Sequence, residues 1–157
     1  MKSEIHLFIL WENARKKCEN EILNDIESNF EVLQIIEIEW NRKDFSDNIS
    51  QFYGIKLPPR CNKVKEVGDG KFLLVIIRDN HPMYVVRRTN SGDSIVNVNV
   101  FDSKEMYRRW VGGHNIHSSN TVEEAEHDLG LLLGKTIKEL EDIYKLQETI
   151  KEYKERI

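Results

Sequence analysis

From Ile5 to Trp11 the chain reads Ile-His-Leu-Phe-Ile-Leu-Trp, nearly all apolar. A run of that length without polar alternation suits a central strand covered on both faces. From Ala14 the pattern changes. Cys18, Ile22, Ile26 and Phe30 recur at intervals of four, which gives one apolar stripe of a helix with charges elsewhere. Val32 to Trp40 predicts a strand whose second half alternates, with Ile36, Ile38 and Trp40 on one side and Glu37 and Glu39 on the other. Phe45, Ile49 and Phe52 share one face of a short helix over Asp44 to Tyr53, which Gly54 ends.

Pro58, Pro59, Gly68 and Gly70 punctuate a loop over residues 55 to 70. Lys71 to Ile77 is a second buried strand by the logic of the first. Two β-rich runs, Met83 to Thr89 and Ser94 to Val100, flank Asn90-Ser91-Gly92-Asp93 and predict a hairpin with a four-residue turn. Phe101 to Trp110 reads as a helical turn or two, broken by Gly112-Gly113. Thr121 opens a helix: Thr121 and Glu124 have the spacing of a capping box, and Val122, Ala125, Leu129 and Leu132 face the core. Gly134 stops it. A polar helix then runs to the end, where Ile143, Leu146, Ile150, Tyr153 and Ile157 alternate at threes and fours like a short heptad seam. That seam fits packing on its own domain or a contact with a second copy.

Strands, helices and a hairpin in this order predict an α+β protein, with helices on one face of a sheet, not a doubly wound parallel sheet. At 157 residues, with 32% charged and 39% hydrophobic, the chain fits one globular unit. No apolar run reaches the ~20 residues of a membrane span, and Met1 to Leu10 reads as a strand and not a signal peptide. The net charge of -4 argues against a dedicated nucleic-acid binder. Cys18 and Cys61 form no paired motif, which fits a reducing cytoplasm.

The chemistry concentrates in Gly112 to Leu129, Gly-Gly-His-Asn-Ile-His-Ser-Ser-Asn-Thr-Val-Glu-Glu-Ala-Glu-His-Asp-Leu. His117 stands just ahead of a helix start, where free amides and the helix dipole favour anions. Ser118, Ser119 and Asn120 add short donors. A histidine beside a held phosphate can accept a phosphoryl group or move a proton. The competing reading is a loop histidine among ordinary capping residues. A third possibility is metal ligation by His114 and His117 with His127 or Asp128, although zinc sites legible in sequence have tighter signatures. Lys104, Arg108 and Arg109 lie upstream. They are a solvated face on the plain reading, or a grip for polyphosphate if they stand beside the histidine.

The segment His117-Ser-Ser-Asn-Thr-Val-Glu-Glu-Ala125 resembles the nucleoside diphosphate kinases, whose phosphate-accepting histidine lies in Asn-x-x-His-Gly-Ser-Asp-Ser-Val-Glu-Ser-Ala. Phe101-Asp-Ser-Lys104 ahead of Tyr107-Arg-Arg-Trp110 is similar to the family's Ala-Asp-Ser-Lys and the arginine segment after it. The likeness spans roughly residues 5 to 134, which would be the kinase-like domain, with 135 to 157 a C-terminal helical extension.

The resemblance implies a ferredoxin-like antiparallel sheet and phosphohistidine chemistry. His117 would accept the phosphate, Ser119 would support it, and Asp128 would orient the ring. Tyr53 would flank the phosphate, and Arg108 or Arg109 would bind it. Lys104, His114 and Asn115 would complete the substrate site. Mg²⁺ would bridge the phosphates of a nucleoside di- or triphosphate, with few protein ligands, and a homo-oligomer is possible. The sequence departs from the family in four places. Trp11 stands where the family has a phosphate-positioning lysine, and Arg15 or Lys16 would have to reach in to replace it. Ser118 replaces the glycine after the histidine. His114 takes the place of the asparagine ahead of it. The hairpin around Ser91 lies where the family has a short clamping helix. These features predict a divergent nucleotide-dependent phosphotransferase, or a nucleotide- or phosphate-binding module without catalysis on the same fold.

Overall fold

The computed structural model describes residues 2–55 and 61–156. Pro58, Pro59 and Ile157 lie outside the described residues. Strand β1 (Glu4–Leu10) leads into helix α1 (Glu12–Asn29) and strand β2 (Glu31–Ile38). Helices α2 (Phe45–Tyr53) and α3 (Asn62–Val67) precede strand β3 (Phe72–Asp79). The hairpin β4 (Tyr84–Thr89) and β5 (Gly92–Asn97) runs straight into α4 (Val98–Val111). Strand β6 (Ile116–Ser118), α5 (Val122–Leu133) and α6 (Ile137–Glu155) complete the chain.

Four strands form one sheet in the order β2-β3-β1-β6, and every neighbouring pair is antiparallel. With α1 joining β1 to β2 and α4 lying between β3 and β6, this is the ferredoxin-like arrangement. β1 and β3 take the two central places, which explains their unbroken apolar runs. Alternate residues serve two different cores. Ile5, Leu7, Ile9 and Trp11 pack with Phe45, Ile49 and Phe52 of α2 and with Leu129 of α5. Phe8 and Leu10 pack with Ala14, Ile22 and Ile26 of α1 and with Tyr107 and Val111 of α4.

Helices therefore cover both faces of the sheet, where one face was expected. An all-apolar central strand leaves no face for water, so both must be covered.

Other differences are local. The hairpin turn is Asn90-Ser91 alone, because Thr89 pairs with Gly92. Gly92 takes a positive φ of 103°, open to glycine and costly for other residues. The second hairpin run ends at Asn97, whose side chain accepts the amide of Asn99 and starts α4 three residues before Phe101. The helical turn or two expected there is a 14-residue helix. Part of the expected loop is α3. Residues 116 to 118, read as loop, add an edge strand to β1, with His117 opposite Ile9. The full capping box belongs to Thr136 and Glu139 at the start of α6. In α6, Leu140 and Tyr144 are buried and the Tyr144 hydroxyl donates to Gln34 at 2.8 Å, so this helix packs on the domain. Ile143, Leu146, Ile150 and Tyr153 face outward.

Candidate functional site

β6 and α5 bring His117 and Asp128 together. Asp128 lies on the inner face of α5, only 2% exposed. Its Oδ2 is 2.7 Å from His117 Nε2. A carboxylate only accepts, so the geometry assigns the proton to Nε2. Nδ1 then carries the lone pair, and it has no hydrogen-bond partner among the described residues. Two aromatic edges from α2 hold the ring, with Phe52 at 4.9 Å and Tyr53 at 5.5 Å between centroids. His127 bonds the other Asp128 oxygen at 3.0 Å and fixes that carboxylate in turn.

His117 forms part of the wall of a cavity of about 780 Å³. Lys104, Arg108 and Arg109 of α4 line the same cavity, as do Tyr53, His114 and Asn120-Thr121 at the mouth of α5. Lys104 and Arg108 are one turn apart, so the helix presents both on one face. Arg108 is anchored: its Nε donates to the Ile116 carbonyl at 3.0 Å, and it pairs with Glu105 at 3.5 Å. Arg109 is exposed. Lys104 is only 6% exposed and lies over the Phe101 ring. Burial and the charge of Arg108 push its ammonium down to about 8. A bound anion would reverse that penalty. The hairpin supplies the remaining wall through Arg88, Ser91 and Ser94.

Three expected contributors stand elsewhere. Ser119 is fully buried. Its hydroxyl accepts the Leu7 amide and meets His6 Nδ1, each at 3.0 Å, because β6 ends at Ser118 and Ser119 no longer follows the alternation that would set it beside His117. Asn115 is buried behind the cavity wall, and its carbonyl takes the Trp11 amide. Arg15 is held by Glu19 and Glu37 and by the Lys71 carbonyl, away from the cavity. Trp11, at the position of the family lysine, is wholly buried in an aromatic cluster with Trp40, Phe45, Phe52 and Phe72. Its indole donates to the Tyr53 hydroxyl at 3.3 Å. Burial raises the phenol of Tyr53, which stays neutral.

Two residues of the site escape the sequence reading. Glu124 bears more on the histidine than on the helix start: its Oε1 is 3.7 Å from His117 Nε2. Burial raises its carboxyl, His117 opposes the shift, and Asp128 adds to it. The signal was available, since Glu124 aligns with a serine of the family motif. Lys63 is the second. It comes from α3, donates to the His114 carbonyl at 3.2 Å and lies 5.0 Å over the Tyr53 ring. Burial, chiefly, and nearby Arg108 lower its ammonium. Nothing in the loop sequence marked it.

The fold is similar to those of solved structures. The Aquifex aeolicus nucleoside diphosphate kinase superposes with a TM-score of 0.51 over 87% of this chain and 98% of that one, at 14% identity. The chain has a nucleoside diphosphate kinase-like fold. A nucleoside diphosphate kinase family protein from Babesia bovis gives a TM-score of 0.50 over 83% of this chain and 88% of that one, at 15% identity. No protein-family model matches the sequence. No curated protein matches it significantly. At such identities the likeness reaches the fold and leaves the chemistry to be argued from the residues. Among the described residues, no helix is long and apolar enough to cross a membrane.

Proposed function

We propose that the protein is a nucleotide-dependent phosphotransferase acting through a phosphohistidine on His117. The observation that supports this reading is the state of the imidazole. Asp128 engages Nε2–H at 2.7 Å, and Nδ1 is left with a lone pair in the wall of a cavity rich in cations. Nδ1 attacks the terminal phosphorus of a nucleoside triphosphate. The bond from that phosphorus to the bridging oxygen breaks, and the diphosphate leaves with the electron pair. Asp128 offsets the positive charge that develops on the ring. Lys104, Arg108, Arg109 and the amides at the start of α5 hold the phosphate oxygens. Lys63 supplies, from α3, the cation that Trp11 does not. A second phosphate acceptor then takes the group from Nδ1.

Mg²⁺, arriving with the nucleotide, would neutralise phosphate charge. The roles of Tyr53 and His114 are to flank the phosphate chain. Incubation with γ-labelled nucleotide and Mg²⁺ should leave an adduct labile in acid and stable in base, absent from His117→Gln. Bound nucleotide with no adduct rules out the covalent step.

A second reading, a binding module without turnover, has Glu124 in its favour. A carboxylate 3.7 Å from the nucleophile's ring works against an incoming dianionic terminal phosphate. Calorimetry beside a turnover assay separates the two: binding without turnover supports the module.

A further inference from the structure

We infer that His117, Glu124 and Asp128 form a site for a divalent transition-metal ion of the zinc class, and that an ion there switches the histidine off. The metal site stands on its own geometry; only the switching rests on the phosphotransfer reading above.

Glu124 and Asp128 are four residues apart on α5, so both carboxylates emerge on the face turned to β6. His117 Nε2 is 2.7 Å from Asp128 Oδ2 and 3.7 Å from Glu124 Oε1, and one ligand atom from each residue lies within 4.8 Å of the others. Ligands at ~2.0–2.2 Å from one ion stand roughly 3–3.5 Å from each other. The observed spacings bracket that value. The ion needs the histidine–aspartate hydrogen bond to open by a few tenths of an ångström and Glu124 to swing in. The donor set decides the kind of ion. Magnesium and calcium take oxygen donors, whereas one imidazole with two carboxylates suits zinc, cobalt or manganese.

The charge balance points the same way. Among the described residues, neither carboxylate is paired with a lysine or arginine; Lys104 and Arg108 pair instead with Glu105. Among the described residues, the two carboxylates, one helical turn apart, thus have only imidazoles, His117 and His127, as ion-pair partners. His127, bonded to the second oxygen of Asp128, provides the outer hydrogen bond that commonly fixes a ligating carboxylate. Metal and phosphoryl group exclude each other through the tautomer. The ion takes the Nε2 lone pair, so the proton on Nε2 must move to Nδ1. Nδ1–H is no longer a nucleophile.

The test is a titration of the full chain, freed of metal with chelator, with Co²⁺ and no nucleotide. One ion should bind per chain, with visible absorption bands that Zn²⁺ abolishes. His117→Gln should remove the bands, and Glu124→Gln and Asp128→Asn should each weaken binding on the order of a hundredfold. His81→Ala, an exposed histidine outside the cluster, should leave them intact. Absent bands, or bands indifferent to Glu124→Gln and Asp128→Asn, overturn the site. With Mg²⁺ in excess, one Zn²⁺ per chain should abolish labelling of the wild type and spare labelling of Glu124→Gln. Labelling of the wild type that persists at full zinc occupancy overturns the switch. A protein that binds Co²⁺ through these residues and never takes a label refutes phosphotransfer and keeps the metal site. Labelling without Co²⁺ binding does the opposite.

Discussion

Two buried histidines face away from each other across neighbouring strands, and their surroundings differ in one respect. His6, fully buried in β1, has both nitrogens engaged: Nδ1 with Ser119 Oγ at 3.0 Å and Nε2 with Glu4 at 2.9 Å. Glu4 also accepts from the Tyr84 hydroxyl at 2.9 Å, and Asn97 bonds Asp79 at 2.9 Å, so this network ties the hairpin to the sheet. His117, on β6, has one nitrogen engaged and one without a partner. A ring satisfied on both sides can only hold structure. A ring fixed on one side and open on the other is oriented and still has a lone pair to give. Carboxylate pairing is common to both and says nothing by itself.

Substitution of the open ring has the largest expected effect. His117→Gln should lower labelling by more than ~1,000-fold, to background, while the melting temperature moves little. His6→Ala should do the reverse. It removes one hydrogen bond each from Glu4 and Ser119 and opens a cavity, at a cost of about 3 kcal/mol. Denaturant unfolding should show that loss, while labelling per folded molecule stays within a few-fold. Equal loss of label in both variants would erase the distinction.

The two histidines also show what the sequence could carry. His117 was legible because its neighbours, Asn120-Thr-Val-Glu-Glu-Ala125, resemble a motif and sit before a capped helix. Asp128 followed from the same register. The sheet was legible in the apolar runs of β1 and β3, which have to be central. Ser119 was not, because strand alternation sets a residue two beyond the histidine on its side, and the strand stops at Ser118, a break too local for the pattern to show. Arg15 was placed by proximity in sequence to Trp11, but a helix beginning at Glu12 turns it toward Glu37 on β2. Lys63 reaches the site from a short helix of distant sequence, a contact that local periodicity does not encode. Glu124 was masked by a second plausible role, the capping box.

Glu124→Ser sharpens the comparison at smaller scale. It removes the negative charge 3.7 Å from the open ring and leaves Asp128 in place. Labelling should rise on the order of tenfold, with most of the gain at low salt, because the repulsion between Glu124 and phosphate is partly screened. No gain, or a loss, would mean that Glu124 helps the phosphoryl group in, and the module reading would lose its support.

The pH dependence tests the cations opposite the ring. The Lys104 ammonium is pushed down to about 8 from 10.5. The unfolded chain therefore binds the proton more tightly, and stability from this group increases as pH rises from about 8 through 10.5. Below 8 both states are charged and the full burial penalty stands. Lys104→Met should accordingly raise stability at neutral pH by on the order of 3 kcal/mol, and the gap from wild type should close as pH rises through that window. The same variant should weaken nucleotide binding below pH 8. In the wild type, affinity should fall above about pH 8 as the free protein loses this charge. Paired unfolding curves and calorimetry across that range measure both effects. A wild-type affinity flat from pH 7 to 10 would remove Lys104 from the phosphate grip and leave the open histidine facing Arg108, Arg109, Lys63 and the amides of α5.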